Sequence, residues 1–274
     1  MDPSGCRMSS GGGGDGPDFG PQHGMITLED LESFSEDQLS DSDNGSLERE
    51  GETMDDDNQL LRYWQDVARG HQVEVPTDMA EPIHQLTTNN DGHHSRERVP
   101  FTLLTRNDKC GDVLWEKRHY EKAHWACITI QEDTYEQSIC YGFMKIMRYI
   151  CQQNTSGNYL GMTIPIVTVV RTSEDQSTMF REVTVAYYLP PEHQAQPPQA
   201  LDTDVVIEEW PAIIAYTREF GGPTNEVTII NEIRTMAVIL GLPDTGVSDS
   251  FIVAGYTNPA AAVRHNEIWF LERP

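Results

Sequence analysis

The strongest constraint on this chain is a hydrophobic pattern that occurs twice in its C-terminal part. Residues 113–130 read as two extended pieces around a turn near Glu121 and Lys122, the second apolar enough for an interior strand. Residues 134–152 place Ile139, Phe143, Ile146, Met147 and Ile150 at helical spacing, with Lys145, Arg148 and Gln152 opposite, which predicts a helix of about five turns. Extended runs follow at 163–171 and 181–189. After the proline-rich connector 190–198 the order returns: extended at 205–209 and 212–220, a helix over 224–240 carrying Val227, Ile230, Ile233, Ala237 and Leu240 on one face, and extended runs at 251–256 and 267–272. A duplicated strand, helix, strand, strand unit of about 75 residues predicts an α+β domain in which two sheets, each with one helix, share a core about a pseudo-twofold.

Composition matters most ahead of this repeat. The 274 residues carry a formal net charge of −25, and residues 1–60 hold 16 acidic and two basic side chains, ten of the 21 glycines, and only Phe19 and Phe34 as aromatics. Such a segment buries too little apolar surface to offset its ordering entropy, so an acidic disordered tail is expected over 1–57. Within it, residues 27–34 could form one or two helical turns capped by Thr27, and Ser33 and Ser40 have the acidic residue three places on that acidophilic kinases accept and that acidic disorder also supplies by chance. Residues 58–69 differ: Leu60, Trp64 and Val67 fall at i, i+4 and i+7, with Gly70 at the stop. This amphipathic helix is too short to stand alone and must lie on its own domain or on a partner. Residues 71–108 read as irregular, with Pro76, Pro82, Gly92 and Pro100 as breakers. The expected organisation is therefore a tail at 1–57, a short helix and irregular connector at 58–111, and a folded domain at 112–274.

Several function classes fall away. No run has the length of a membrane span and the first 25 residues lack a secretory pattern, so a cytoplasmic protein with no membrane span is expected. The acidic balance opposes nucleic-acid binding. Five cysteines without a C-x-x-C pair read as reduced thiols and not as a zinc site. There is no G-x-S-x-G elbow, P-loop, H-E-x-x-H or strand-to-helix dinucleotide fingerprint, so no enzyme is expected; no C-x-x-C-H is present for covalent haem attachment.

The chemistry that remains is that of a binding site. His119 stands among Trp115, Tyr120 and Trp125, either an imidazole facing an apolar cleft or an edge-strand histidine bonded to backbone. His124, five residues on, alternates to the other face. Phe143, Met144 and Met147 suit a flat apolar ligand or a plain core, and Lys145 and Arg148 beside them suit ligand carboxylates or a solvated helix face. Glu267, in the apolar run Glu-Ile-Trp-Phe-Leu, reads either as a raised-pKa acid or counter-charge for a cation, or as a structural glutamate bonded to backbone amides.

These residues resemble a known family. Trp115-Glu-Lys-Arg-His-Tyr120, Gly142 to Ile150, Met162-Thr-Ile-Pro-Ile166, Ala254-Gly-Tyr256 and Asn266-Glu-Ile-Trp269 are similar, in order and spacing, to motifs of the SOUL/haem-binding protein family. The resemblance implies a distorted antiparallel β-barrel with two flanking helices, built from a duplicated β-α-β-β unit of the GyrI-like kind, that binds haem or another tetrapyrrole reversibly as a carrier or buffer without turnover. In one branch of the family the histidine of R-H-Y is the proposed axial iron ligand, which corresponds to His119. In the other the porphyrin rests on the first helix and the loop before the last strand, which implies Phe143, Met144, Lys145, Met147 and Arg148 with Ala261 and Val263. Two departures stand out. The loop 258–263 lacks a lysine, so propionates would depend on Arg148, Lys145 or Arg264, and Cys140 replaces a basic residue, as a thiolate ligand or a small buried side chain. The tail has no counterpart in the family's short members. It leaves open a protein partner through residues 25–69, and hence an adaptor in which the barrel is a scaffold.

Overall fold

The computed structural model describes residues 61–66, 68–73, 77–79, 82, 96–241, 249–257 and 263–272. The expectations for the tail at 1–57, for Leu60 and Val67, and for Ala261 lie outside them.

Eleven strands are described: β1 (Glu97–Arg98), β2 (Thr102–Lys109), β3 (Asp112–Tyr120), β4 (Ala123–Gln131), β5 (Thr163–Ile164), β6 (Ile166–Arg171), β7 (Glu182–Tyr188), β8 (Val206–Trp210), β9 (Ile213–Phe220), β10 (Ser250–Gly255) and β11 (Asn266–Leu271). Nine form a curled antiparallel half-barrel in the order β2-β3-β9-β11-β10-β6-β7-β4-β8, and β1 pairs in parallel with β5. Residues 61–66 and 68–70 are helical (α1), and the two long helices are α2 (Tyr135–Cys151) and α3 (Glu226–Leu240). No described helix is long and apolar enough to cross a membrane.

The duplication is present, with an exchange that the periodicity did not reveal. In each half a leading strand turns directly into the next, β3 into β4 and β8 into β9. Yet β3 pairs with β9 and β8 with β4, so each half lends its leading strand to the other. The halves join where β6 lies against β10. Each long helix begins with a reciprocal capping box, Thr134 with Gln137 and Asn225 with Thr228, which satisfies amide donors that a helix start otherwise leaves open. Gly142 lets α2 settle on β7, because a Cβ there would lie 2.6 Å from Val185 Cγ2.

Alternation along the strands divides the apolar residues between the two faces. Ala126, Ile128, Val185 and Tyr187 pack under α2, and Phe251, Val253, Ile268 and Phe270 under α3. Tyr120, Trp125, Cys127, Ala254 and Trp269 form a third cluster on the face turned away from the helices.

Two stretches differ from expectation. The segment read as irregular contains β2, all eight of whose residues are exposed; with neither face covered there is no alternation to read. It reaches β3 through Cys110 and Gly111, with φ of 56° and 96°, the paired positive values a two-residue hairpin turn requires. The single run at 163–171 is two strands, because Pro165 has no amide to donate and Thr163–Ile164 diverges to β1.

Candidate functional site

The starts of α2 and α3 meet at one end of the sheet, where the Glu226 amide donates to Glu136 Oε1 at 3.4 Å. Down α2 two stripes separate. Cys140, Met144, Met147 and Cys151 pack on β4 and β7, while Tyr135, Ile139 and Phe143, at i, i+4 and i+8, face a cavity of about 320 Å³. The volume is at the lower end of the range for small-ligand pockets. Ile164, Ile166 and Thr168 form one wall with Val253 and Gly255 of β10. Opposite them lie Tyr63, Trp64 and His71, contributed by α1 and the turn after it. Arg96, Tyr256, Thr257 and Arg264 also line it, as does the carboxylate-bearing Glu136 at the start of α2.

Trp64 holds α1 in place: it is 4% exposed, and its ring stacks on Phe143 at 4.6 Å and 25°. Ala68 is buried in the same cluster, so the apolar face of this helix is turned onto the chain's own α2. The segment is pinned further along, where Asp78 accepts from Arg148 and the Pro82 carbonyl accepts from Cys151. The guanidinium of Arg264 lies 5.2 Å over the Tyr63 ring, and burial pulls the Arg96 guanidinium below its usual pKa. Trp64 Nε1 is a buried donor without an acceptor among the described residues.

The residues singled out from sequence separate on this map. Phe143 lines the cavity. Cys140, Met144 and Met147 do not; they are core, and burial pushes the Cys140 thiol up to about 11, so it is no thiolate at neutral pH. Arg148 is engaged by Asp78, and Lys145 by Asp202 at 3.1 Å and by Asp204. Val263 is 85% exposed. His119 is on the outer face of β3, 30% exposed, with Nδ1 3.5 Å from Glu121, and it faces no part of the cavity. The physical reason is the alternation of β3, which buries Glu116, Arg118 and Tyr120 and turns His119 the other way.

Glu267, 2% exposed, has its counter-charge inside the protein. Arg118 donates to both carboxylate oxygens at 2.9 and 3.0 Å, and Tyr256 Oη and Trp269 Nε1 each donate at 2.7 Å. The structural reading holds, with side chains in place of backbone amides. Arg118 also donates to Glu116 at 2.8 Å and lies 4.3 Å over Phe101. Burial opposes its charge, but Glu267 outweighs that and drives its pKa upward; burial and the Glu267 charge raise Tyr256.

Among the cavity residues missed from sequence are Tyr63, His71 and Arg96. A tryptophan-bearing amphipathic helix just ahead of the domain was their one signal, and it indicated a docking surface without saying where.

The fold and its cavity define the class: a duplicated, strand-exchanged α+β half-barrel with an aromatic and arginine-lined pocket beside its first long helix. The family model described as SOUL heme-binding protein matches residues 96–271, and the chain belongs to that family. It is 29% identical over 180 residues to Heme-binding protein 1 of Mus musculus, covering 65% of this chain and 94% of that protein. It is 31% identical over 164 residues to Heme-binding protein 2 of Homo sapiens, covering 58% of this chain and 78% of that protein.

Proposed function

We propose that this chain binds haem or a related tetrapyrrole non-covalently in the cavity between α1, α2 and the chain before β11, and acts as a cytosolic carrier or buffer with no catalytic turnover. The observation that carries the reading is the composition of that cavity on this family's scaffold. Aromatic walls from Tyr63, Trp64 and Phe143 suit a flat macrocycle, and the guanidiniums of Arg96 and Arg264 suit its two propionates. Apolar burial at about 25 cal/mol per Å² supplies most of the affinity, and the arginines orient the plate. Relatives named for haem binding support the same ligand. The group fits in kind, with the buried Trp64 Nε1, which has no acceptor among the described residues, as a further donor.

This reading moves the site from the open helix face to the capped cavity. Phe143 is common to both; Met147 and Arg148 lie under the cap. The adaptor alternative draws no support from the 58–69 helix, whose Trp64 and Ala68 are buried against α2.

An absorbance titration of the full chain with ferric haem tests it. The expected dissociation constant is tighter than about 10 μM, roughly 7 kcal/mol. Phe143→Glu sets a carboxylate against the macrocycle and should weaken binding by at least about tenfold, while His119→Ala leaves the Soret band in place. Absence of binding at that level overturns the proposal, and a band that shifts with His119→Ala returns the ligand to β3.

A further inference from the structure

We propose, resting on the tetrapyrrole reading above, that His71 ligates the metal of the bound macrocycle, so that the axial ligand comes from chain preceding the family-matched region 96–271. Among the described residues, His71 is the one histidine that lines the cavity. The others face elsewhere. His119 and His124 approach Glu121 and Glu209 at 3.5 and 4.0 Å, His193 sits on the one-turn helix Pro191–Gln194, and His265 lies edge-on to Tyr256 and 3.9 Å from Glu219.

The imidazole of His71 is half-buried and makes no hydrogen bond or ion pair with any described residue, so both ring nitrogens are available to a ligand. Its backbone, by contrast, is held on two sides. α1 ends in a turn in which Gln72 takes a φ of 60° and the amides of His71 and Val73 both donate to the Ala68 carbonyl, at 3.2 and 2.7 Å. The His71 carbonyl accepts from Gln137 Nε2, and the same Gln137 accepts the Thr134 amide through Oε1 at 3.1 Å in the cap of α2. The residue is thus fixed between α1 and α2 while its side chain stays unengaged, the state a preorganised ligand requires. A neutral imidazole nitrogen is a common donor to haem iron, and its coordination sets the absorption and spin state of the iron.

The test is a ferric protoporphyrin IX titration of the full chain, followed by absorbance and electron paramagnetic resonance, for the wild type, His71→Ala and His71→Met. The expected result is a histidine-ligated spectrum in the wild type. His71→Ala should lose it, with affinity falling about tenfold, and added imidazole should restore it. His71→Met should give a thioether-ligated spectrum, a change that a structural role would not produce; it also serves if the alanine variant fails to fold. A wild-type spectrum without nitrogen ligation, or a histidine-ligated spectrum that persists in either variant, overturns the assignment while leaving haem binding standing. Failure of the wild type to bind the porphyrin overturns the function itself, and a normal titration with metal-free protoporphyrin IX separates the two, because it reports the pocket without metal ligation.

Discussion

The cavity beside α2 and the charged cluster on the opposite face of the sheet share Tyr256 and are built from similar side chains, yet they use them differently. In the cluster, Arg118, Glu116, Glu267 and Trp269 saturate one another, and no carboxylate is left without a cationic partner. In the cavity, His71 is unengaged and Trp64 Nε1 has no acceptor among the described residues. Buried polar groups that satisfy each other hold a fold together; groups left unsatisfied against apolar walls mark the place for a ligand. Sequence alone left Glu267 open as an acid or a structural glutamate and offered His119 as a ligand; the structure ties the first into the cluster and places the second away from the cavity.

Breaking the cluster should have the largest effect and should fall on stability. Arg118→Met leaves Glu267 buried without its cation, and removing one partner of a buried ion pair costs about 3–5 kcal/mol. Urea unfolding of the metal-free protein measures it. Adding Glu267→Leu should recover only part of the loss, because Tyr256 and Trp269 then lose their acceptor and Glu116 is left with Arg106 alone. A single variant with wild-type stability would mean that the cluster is not structural.

Trp64→Ala strikes the cavity's side of the contrast. A buried tryptophan truncated to alanine costs about 3–5 kcal/mol in a core, but α1 adds no strand to the sheet and packs on α2 from outside it, so it can detach without unfolding the sheet. The global loss should therefore be smaller, with amide exchange rising first at 68–73. Haem affinity should fall with the lost wall. A rise would show instead that Trp64 occupies the ligand's place on Phe143, making α1 a competitor of the ligand.

How much of this could be read beforehand follows from what each residue depends on. The long helices and paired strands were legible because their apolar period is written in consecutive residues, as in the run of Ile139, Phe143, Ile146, Met147 and Ile150. β2 was not, since an uncovered strand has no period to show. The strand exchange was not, because pairing partners are non-local. Periodicity separated His119 from His124 by face but could not say that neither faces the cavity. Met144 and Met147 had the spacing of core and of ligand face alike, and only the packing of α2 on β4 and β7 separates the two. His71 carried no signal, because its place depends on where α1 docks.

The smallest effect expected is one of pH, and it separates the two regions most cleanly. Burial alone would raise the Glu116 pKa, but bonds to Arg118 and Arg106 outweigh it and hold it below the ordinary glutamate range. A carboxyl depressed on folding stabilises the protein fully above its unfolded pKa of about 4.3 and loses that contribution as pH falls through the lower folded value. Glu116→Gln should therefore be less stable than the wild type near neutrality, and the two urea midpoints should converge as the solution is acidified. Ligand affinity at neutral pH should be unaffected, because Glu116 faces Arg106 and Arg118 and does not line the cavity. Midpoints that stay apart in acid would mean that Glu116 acts through packing and not through its charge, and a changed haem affinity would join the two regions that the structure keeps on opposite faces.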